Sequence, residues 1–250
     1  MSLGKFDGMG KIYSAARPSY PNRLIDFIFS GYARDEILIA DIGSGTGILT
    51  RLLLERGAVV YAVEPNTDMR AVAEENLSGY KNFISINGTA EKTGLEDNFI
   101  DMITAAQAFH WFDLNEFTKE CGRILKKDGN VFLIWNVRGE NNDIFISYNA
   151  AMKKYCPGYS GQAGGMEFNE INKFEIFFGG AYEETIYEND LTYDRDGFIR
   201  RALSTSYALK KNDPGYPAFT GELGDIFDRF NENGIIKMPN HTQCYSGRLK

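Results

Sequence analysis

The first half of the chain alternates short apolar runs with stretches whose apolar residues recur at helical spacing. Short apolar runs before turns are typical of strands buried on both faces, which we predict at residues 37–42, 58–63, 83–87, 99–105 and 130–136. Helical spacing falls between them, at residues 48–56, 66–76 and 114–126. This alternation predicts a parallel sheet that is covered by helices on both faces.

The regular alternation of predicted strands and helices ends after residue 136. Helices are predicted at 143–156, 167–178, 194–204 and 219–233, with strands at 182–191 and 241–249. A helix N-cap is expected at Asn66 or Thr67, and another at Asp194. No linker rich in Pro, Gly and Ser separates the halves. We therefore predict one domain over 1–250, with a helical cover at 1–34 and cap segments at 137–180 and 194–217 above the binding edge of the sheet.

The charge balance narrows the range of partners. The chain has 250 residues and a formal net charge of -7, from 27 basic and 34 acidic residues. An acidic chain has no general attraction for nucleic acid, so no nucleic-acid partner is expected. No apolar run reaches membrane-spanning length, and the first residues lack a basic segment followed by an apolar stretch. We expect neither a membrane partner nor a signal peptide.

The cysteines and histidines argue against metal and disulfide chemistry. Cys121, Cys156 and Cys244 are an odd and widely spaced set, and the chain has only two histidines, His110 and His241. This pattern is not that of a zinc site or a disulfide framework. We expect no metal, a reducing cytoplasmic location, and a monomer or homodimer.

Three glycines, Gly43, Gly45 and Gly47, lie directly between the first strand and its helix. Glycine permits backbone angles that other residues avoid and lets a ligand approach the chain closely. In open α/β sheets, ligands bind beyond the carboxyl ends of the strands. The G-x-G-x-G spacing differs from the dinucleotide pattern G-x-G-x-x-G, whose third glycine position is Ile48 here, and no Gly-Lys-Ser/Thr follows. The turn therefore predicts a nucleoside-like ligand without a pyrophosphate.

Two further features extend this predicted site. Glu64 ends the second strand, 21 positions after Gly43, where an acid can accept hydrogen bonds from both ribose hydroxyls. An aromatic stretch at residues 107–113 follows the fourth strand. Aromatic side chains there can form the wall of a pocket.

The chain resembles the class I S-adenosylmethionine-dependent methyltransferases. The resemblance rests on four segments: LIADIGSGTGILT, VEPNTDM, NGTAEKTGLEDNFIDMITAAQAFHWFD and CGRILKKDGNVFLIWN. The AFHWFD stretch and YSAARPSYP are similar to a type 11 small-molecule subgroup that includes trans-aconitate and juvenile-hormone-acid methyltransferase relatives. The resemblance implies an α/β, doubly wound, Rossmann-like sheet of seven mainly parallel strands, with helices on both faces and a helical insert after strand five.

The resemblance also implies S-adenosylmethionine as the cofactor. Glu64 would accept the ribose hydroxyls, Glu91 would meet the adenine edge, and Arg17 would pair with the methionine carboxylate. The residues expected to contact the cofactor are Arg17, Asp41, Gly43, Ser44, Gly45, Gly47, Glu64, Pro65, Ala90, Glu91 and Gln107. For Arg17 the alternative is that it pins an N-terminal helix, and for Glu91 that it is a solvated loop residue.

His110, Trp111 and Tyr13 are the candidate catalytic residues. Methyl transfer from a sulfonium is an in-line displacement, in which the protein chiefly holds the reactants together and excludes water. A carboxylate acceptor needs no base, whereas a hydroxyl or amine usually needs one, and His110 is the histidine placed for it. Alternatively, His110 binds the acceptor or packs on Trp111. Trp111 and Tyr13 are as consistent with packing, and Phe109 and Phe112 are expected in the core.

A small-molecule acceptor, with a carboxyl or hydroxyl group, fits the subgroup best. The alternatives are methylation of RNA or protein, and a member that binds the cofactor without catalysis. The sequence shows no basic stripe, and Ala105-Ala106-Gln107-Ala108 stands in place of an amino-methylating Asn-Pro-Pro-Tyr signature. A nicotinamide-dependent oxidoreductase is disfavoured by the glycine spacing.

Overall fold

The structure is a computed structural model that describes residues 18–31, 36–139, 142–159, 170–205 and 207–249. The chain divides into two compact units. The first, here the sheet unit, comprises residues 1–135, 166–187 and 242–250. The second, here the helical unit, comprises residues 136–165 and 188–241. Residues 166–180 of the predicted cap thus belong to the sheet unit, and the covering role of the cap segments stays a prediction.

The strands build one large sheet and one small one. They are β1 (Leu38–Ile42), β2 (Val59–Val63), β3 (Phe83–Ile86), β4 (Ile100–Ala106), β5 (Leu125–Arg138), β6 (Tyr182–Glu188), β7 (Leu191–Tyr193), β8 (Ile236–Met238) and β9 (Asn240–Gly247). The large sheet has seven strands in the order β3-β2-β1-β4-β5-β9-β6. Its β1–β2, β1–β4, β2–β3 and β4–β5 pairs are parallel. This confirms the predicted doubly wound sheet, in which the strand order reverses at the switch point between β1 and β4.

The helices begin and end close to their predicted limits. They are α1 (Asn22–Phe29), α2 (Ile48–Glu55), α3 (Thr67–Leu77), α4 (Leu114–Ile124), α5 (Asp143–Tyr155), α6 (Glu170–Phe178), α7 (Arg195–Leu203) and α8 (Tyr216–Phe230). Asn66 caps α3 by accepting a hydrogen bond from the backbone N–H of Met69 at 3.0 Å. Asp194 caps α7 in the same way, with Gly197 as donor at 2.6 Å. Both predicted caps are confirmed.

Several predicted limits were wrong. The last helix lies at Tyr216–Phe230 rather than at 219–233, and the strand predicted at 182–191 ends at Glu188. The fourth helix ends at Ile124, two residues early, and β5 begins at Leu125 rather than at residue 130. The reason is long-range pairing: Leu125 pairs with Ile100 of β4, and an irregularity separates this pair from the regular ladder. The short antiparallel pair of β7 and β8 was also missed, because three-residue strands carry little pattern of their own.

Aromatic side chains fill one side of the sheet unit. Phe109 lies at the centre, stacked on Phe174 at 5.7 Å and edge-on to Trp135 at 6.2 Å between ring centroids. Phe109 and Phe112 are both buried, as predicted. The core of the helical unit is separate and consists largely of residues from α5, α7 and α8: Tyr148, Met152, Phe198, Phe219, Leu223 and Phe227. These two cores hold the polar groups described below in fixed positions.

Three further findings on the described residues concern the cysteines, metal binding and membrane-spanning helices. Cys121, Cys156 and Cys244 are free and buried. No cluster of His, Cys, Asp and Glu suited to a metal ion occurs within the described ranges. None of the helices there is both long and apolar enough to cross a membrane.

Candidate functional site

The glycine turn joins β1 to α2 at the carboxyl edge of the sheet. Its three glycines have left-handed backbones, with φ of 69° at Gly43, 57° at Gly45 and 81° at Gly47. The N–H groups of Gly43 and Ser44 donate to the carbonyl of Val63 at 2.8 and 3.2 Å, and that of Gly47 donates to Ser44 at 3.0 Å. The turn therefore uses these donors internally and does not offer them to a pyrophosphate, which agrees with the predicted class of ligand.

Gly43 and Gly45 serve different purposes in this turn. A Cβ on Gly43 would lie 2.7 Å from the Cβ of Ala108 and 3.3 Å from the ring of Phe112. A Cβ on Gly45 would have no described atom within 4 Å. Gly43 is thus needed for the close packing of the segment after β4, whereas Gly45 leaves open space where a ligand can approach the backbone.

Glu64 links the ends of β1 and β2. One carboxylate oxygen, Oε2, accepts a hydrogen bond from the N–H of Gly45 at 2.9 Å, and the other, Oε1, accepts from the N–H of Asn66 at 2.8 Å. The side chain is buried, which raises its pKa, while these two donors and Arg70 act in the opposite direction. A carboxylate oxygen can accept more than one hydrogen bond, so both oxygens retain the capacity to bind a ribose hydroxyl.

Asp41 lies beneath the turn and is only 1% exposed. Its Oδ2 accepts a hydrogen bond from Thr50 of α2 at 2.6 Å, and its Oδ1 accepts from Thr104 of β4 at 2.8 Å. Burial raises the pKa of Asp41 to about 6, against the two hydroxyl donors. The observed contacts fix β1, α2 and β4 relative to one another, and direct contact with the cofactor stays a prediction. Sequence reasoning missed the roles of both threonines, because no local pattern marks a hydroxyl that reaches a carboxylate on a neighbouring element.

The loop after β3 is held by hydrogen bonds to α4. Glu91 accepts the N–H of Asp113 at 3.0 Å, so one of its oxygens is already used at the start of that helix. Thr93 donates its N–H to Glu120 at 2.8 Å. Ala90, which precedes Glu91, is buried. The loop is therefore preorganised, and the role of Ala90 and Glu91 at the adenine edge stays a prediction.

Gln107 begins the segment after β4 with a left-handed backbone, at φ 56°. Its N–H donates to the carbonyl of Ile134 at 2.9 Å. A residue other than glycine in this conformation costs free energy, and such strain is concentrated at functional sites. The turn at Gln107 directs the short 3₁₀ helix Phe109–Trp111 back over Gly43.

The catalytic candidates of this helix have different environments. Trp111 is 38% exposed, and the centroids of the His110 and Trp111 rings are 4.8 Å apart. Phe109, in the same 3₁₀ helix, is buried. An exposed aromatic ring on a firmly anchored segment is suited to forming a pocket wall. Tyr13 and Arg17 lie outside the described residues.

The site fits S-adenosylmethionine. Asp41 and Glu64 supply two carboxylates next to an open glycine, which favours a cationic ligand with a diol. The hydroxyl of Thr46, in the same turn, is buried without a hydrogen-bond partner among the described residues. Ser44, within the glycine turn, and Pro65, directly after Glu64, are both half-buried. The structure thus brings together the predicted residues of the first two motifs.

Comparison with known proteins identifies the same class. Residues 40–133 match the family model for the methyltransferase domain. The methyltransferase-like protein C25B8.10 of Schizosaccharomyces pombe is 35% identical over 242 residues, covering 94% of this chain and 91% of that protein. An uncharacterized methyltransferase of Mycobacterium bovis is 39% identical over 140 residues, covering 56% of this chain and 55% of the relative. The chain thus spans only about half the length of this mycobacterial relative.

The fold has counterparts among solved structures. The YcgJ protein of Bacillus subtilis superimposes with a TM-score of 0.56 at 21% identity, covering 92% of this chain and 99% of that one. Fold, turn and strand-end acid together define a class I methyltransferase of type 11. The chain belongs to the S-adenosylmethionine-dependent methyltransferase family, and S-adenosylmethionine is its cofactor.

Proposed function

We propose that the chain transfers a methyl group from S-adenosylmethionine to a small molecule that bears a carboxyl or hydroxyl group. The observation that carries this proposal is the placement of His110 and Trp111. They lie on a segment whose neighbouring residues, Ala108 and Phe112, pack directly against Gly43 of the cofactor turn. A half-buried histidine beside an exposed tryptophan, next to the cofactor turn, suits an acceptor of limited size.

The residues of the chain have separate tasks in this proposal. When bound, S-adenosylmethionine supplies an electrophilic methyl group on a sulfonium. Glu64 binds the ribose hydroxyls, and the open face of Gly45 admits the ligand to the backbone. Gln107 directs the acceptor segment through its left-handed backbone. These residues supply positioning and exclude water, which is the main requirement of an in-line displacement.

His110 is proposed to contact the acceptor. For a carboxylate acceptor, which is already ionised near neutral pH, the imidazole donates a hydrogen bond and orients the attacking oxygen. For a hydroxyl acceptor, the same imidazole accepts the proton. Trp111 would cover the reacting groups from solvent with its exposed ring. The pH dependence of kcat distinguishes the two cases, since only the second requires a neutral His110.

The first test measures cofactor binding by thermal shift with S-adenosylhomocysteine. A ligand at 100 times its Kd stabilises a protein by about 2.7 kcal/mol. For a chain of this size we expect a rise in Tm on the order of 5–10 °C. Parallel titrations with NAD and NADP serve as controls and should leave Tm unchanged. An absent shift at millimolar S-adenosylhomocysteine would contradict the proposal.

The second test assigns the class of acceptor. Purified protein is incubated with radiolabelled S-adenosylmethionine and panels of small carboxylic acids, alcohols, tRNA and cell protein. We expect label in small molecules, with a rate that varies little with salt. Methylation of tRNA with a steep salt dependence would instead favour the RNA alternative, because phosphate contacts make binding salt-sensitive. Tight binding of cofactor without any transfer would favour a non-catalytic role.

A further inference from the structure

The helices that follow β1 and β2 each carry an arginine paired with a glutamate four residues later. The Nε of Arg51 in α2 lies 3.8 Å from a carboxylate oxygen of Glu55, and that of Arg70 in α3 lies 3.7 Å from one of Glu74. The side chain of Arg51 is 53% exposed, whereas that of Arg70 is only 15% exposed. Because such a helical pair by itself stabilises a protein only slightly, the burial of Arg70 needs another explanation.

The guanidinium group of Arg70 reaches two other elements of the sheet unit. Its Nη1 donates one hydrogen bond to the backbone carbonyl of Glu64 at 2.9 Å and another to Oδ1 of Asn87 at 3.2 Å. Glu64 directly follows β2, and Asn87 directly follows β3. These two strands are parallel neighbours, in which Val63 pairs with Ile86. Arg70 therefore joins two adjacent strand ends at the carboxyl edge of the sheet.

The carbonyl that Arg70 binds belongs to the residue predicted to hold the ribose. The peptide group between Glu64 and Pro65 has an acceptor and no donor, because proline lacks an N–H. Its orientation therefore depends on the donors to that carbonyl, and Arg70 supplies one. The carboxylate of the same Glu64 accepts the N–H groups of Gly45 and Asn66. A rotation of the peptide group would displace the carboxylate from both of these donors.

The second bond of Arg70 holds the start of the loop after β3. This loop begins at Asn87 and continues to Ala90 and Glu91, which are predicted to meet adenine. The predicted ribose and adenine contacts thus share one anchor. Charge acts in the same sense: burial raises the pKa of Glu64, and the positive charge of Arg70 is among the causes that lower it. Arg70 thereby favours the ionised carboxylate, which is the stronger acceptor for a diol.

We infer that Arg70 is a positioning residue for the nucleoside part of S-adenosylmethionine. It acts through Glu64 and Asn87, whose strand ends it holds at a fixed separation, so that the ribose acceptor and the adenine loop are preorganised before the cofactor binds. The inference rests on the predicted contact of Glu64 with the ribose. It does not depend on the identity of the methyl acceptor.

The test compares two ligands by calorimetry: S-adenosylhomocysteine and its 2′,3′-dideoxy analogue, which lacks both ribose hydroxyls. The ratio of the two Kd values measures the preference of the chain for the hydroxyls, and the change of that ratio in a variant measures coupling to them. Arg70→Met removes the guanidinium group and keeps an apolar side chain. Arg51→Met is the matched control, because it removes the same kind of helical ion pair from an exposed position. Circular dichroism shows whether each variant is folded.

We expect the wild-type chain to prefer S-adenosylhomocysteine to the analogue by about 10–100-fold, as for the loss of charged hydrogen bonds. Arg70→Met should reduce this preference about tenfold and weaken the analogue itself only about threefold. Asn87→Ala, which removes the bond to the adenine loop alone, should weaken both ligands equally, by about threefold. Arg70→Lys keeps the charge without the planar fork and should restore part of the preference. Arg51→Met should change neither affinity.

Two results would overturn the inference. One is a wild-type preference that Arg70→Met leaves unchanged, which would make Arg70 a purely structural residue. The other is a wild-type chain without any preference, which would remove the ribose contact of Glu64 and the role of Arg70 together. Transfer of label to a small molecule would still report separately on the proposed methyl transfer. Should Arg70→Met fail to fold, Arg70→Lys takes its place, and an unchanged preference in that variant would equally contradict the inference.

Discussion

The cofactor turn and the helical unit differ in how their charged side chains are paired. In the turn, the carboxylates of Asp41 and Glu64 already accept hydrogen bonds from the protein. In the helical unit, Arg138 and Arg201 are half-buried and have no carboxylate partner among the described residues. The polar groups of the turn are therefore held in place by the protein itself, whereas these two arginines are not held by an ion pair to any described acid.

This contrast predicts how substitutions act. In the cofactor turn, the groups that bind ligand also hold the strands together, so a change there affects both stability and binding. In the helical unit, Arg138 and Arg201 make no ion pair with a described acid, so removal of either charge should spare stability. The variants below test that difference in order of decreasing effect.

Gly43→Ala should give the largest loss of stability. Its Cβ would meet Ala108 at 2.7 Å in a backbone with φ 69°. Overpacking and left-handed strain together should lower the free energy of unfolding by about 2–5 kcal/mol. Gly45→Ala is the matched control, because its Cβ meets no described atom within 4 Å. It should cost about 1 kcal/mol and should mainly weaken binding of S-adenosylhomocysteine. Urea unfolding and calorimetry measure the two effects, and equal destabilisation by both variants would refute the distinction.

Asp41→Asn should change the pH dependence of stability. Burial raises the pKa of Asp41 from its ordinary value of 3.8 to about 6 in the folded protein. The stability that goes with its protonated form is therefore present below about pH 3.8 and is lost as the pH rises through about 6. The loss is on the order of 3 kcal/mol, since one pKa unit corresponds to about 1.4 kcal/mol. Relative to wild type, the Asn variant should gain stability across this window while it binds cofactor more weakly. Parallel curves from urea unfolding at pH 4 to 7 would contradict this prediction.

Glu64→Gln should weaken S-adenosylhomocysteine binding by about 10–100-fold, as expected for the loss of charged hydrogen bonds. Stability should change less, because the amide oxygen still accepts one of the two backbone N–H groups. Glu55→Gln, at an exposed ion pair with Arg51, is the control and should leave affinity unchanged. Calorimetric Kd values decide the outcome. An unaltered Kd for Glu64→Gln would remove Glu64 from the ribose site.

Arg201→Gln should have the smallest effect on stability, within about 0.5 kcal/mol of wild type. Arg123→Gln in the sheet unit offers the contrast. Arg123 bonds to Glu120 at 2.8 Å and to the carbonyl of Leu95 at 2.8 Å, so its loss leaves a buried acid without its partner. We expect that variant to lose about 2 kcal/mol. A similar loss in Arg201→Gln would mean that Arg201 is a structural residue.

Most of the cofactor turn could be predicted from the sequence. Gly43, Gly45 and Glu64 stand at fixed distances from strand ends, and the carboxyl ends of parallel strands meet at one edge of a sheet. The partners of Asp41 could not be predicted in this way. Thr104 is 63 positions away from Asp41, and its hydroxyl reaches that carboxylate only because β1 and β4 are neighbours. The same holds for the bond between Glu91 and Asp113, which uses an oxygen that was expected to meet adenine.

The order of strands and helices, the glycine turn and the class of cofactor could all be predicted from the amino-acid sequence. These depend on local patterns, namely the period of apolar residues and the backbone freedom of glycine. The tertiary structure was needed to show which buried carboxylates have partners. It placed Thr50 and Thr104 against Asp41, and it placed Thr93 against Glu120. Pairing of charges is a matter of distances between elements far apart in the chain, and no spacing along the sequence records it.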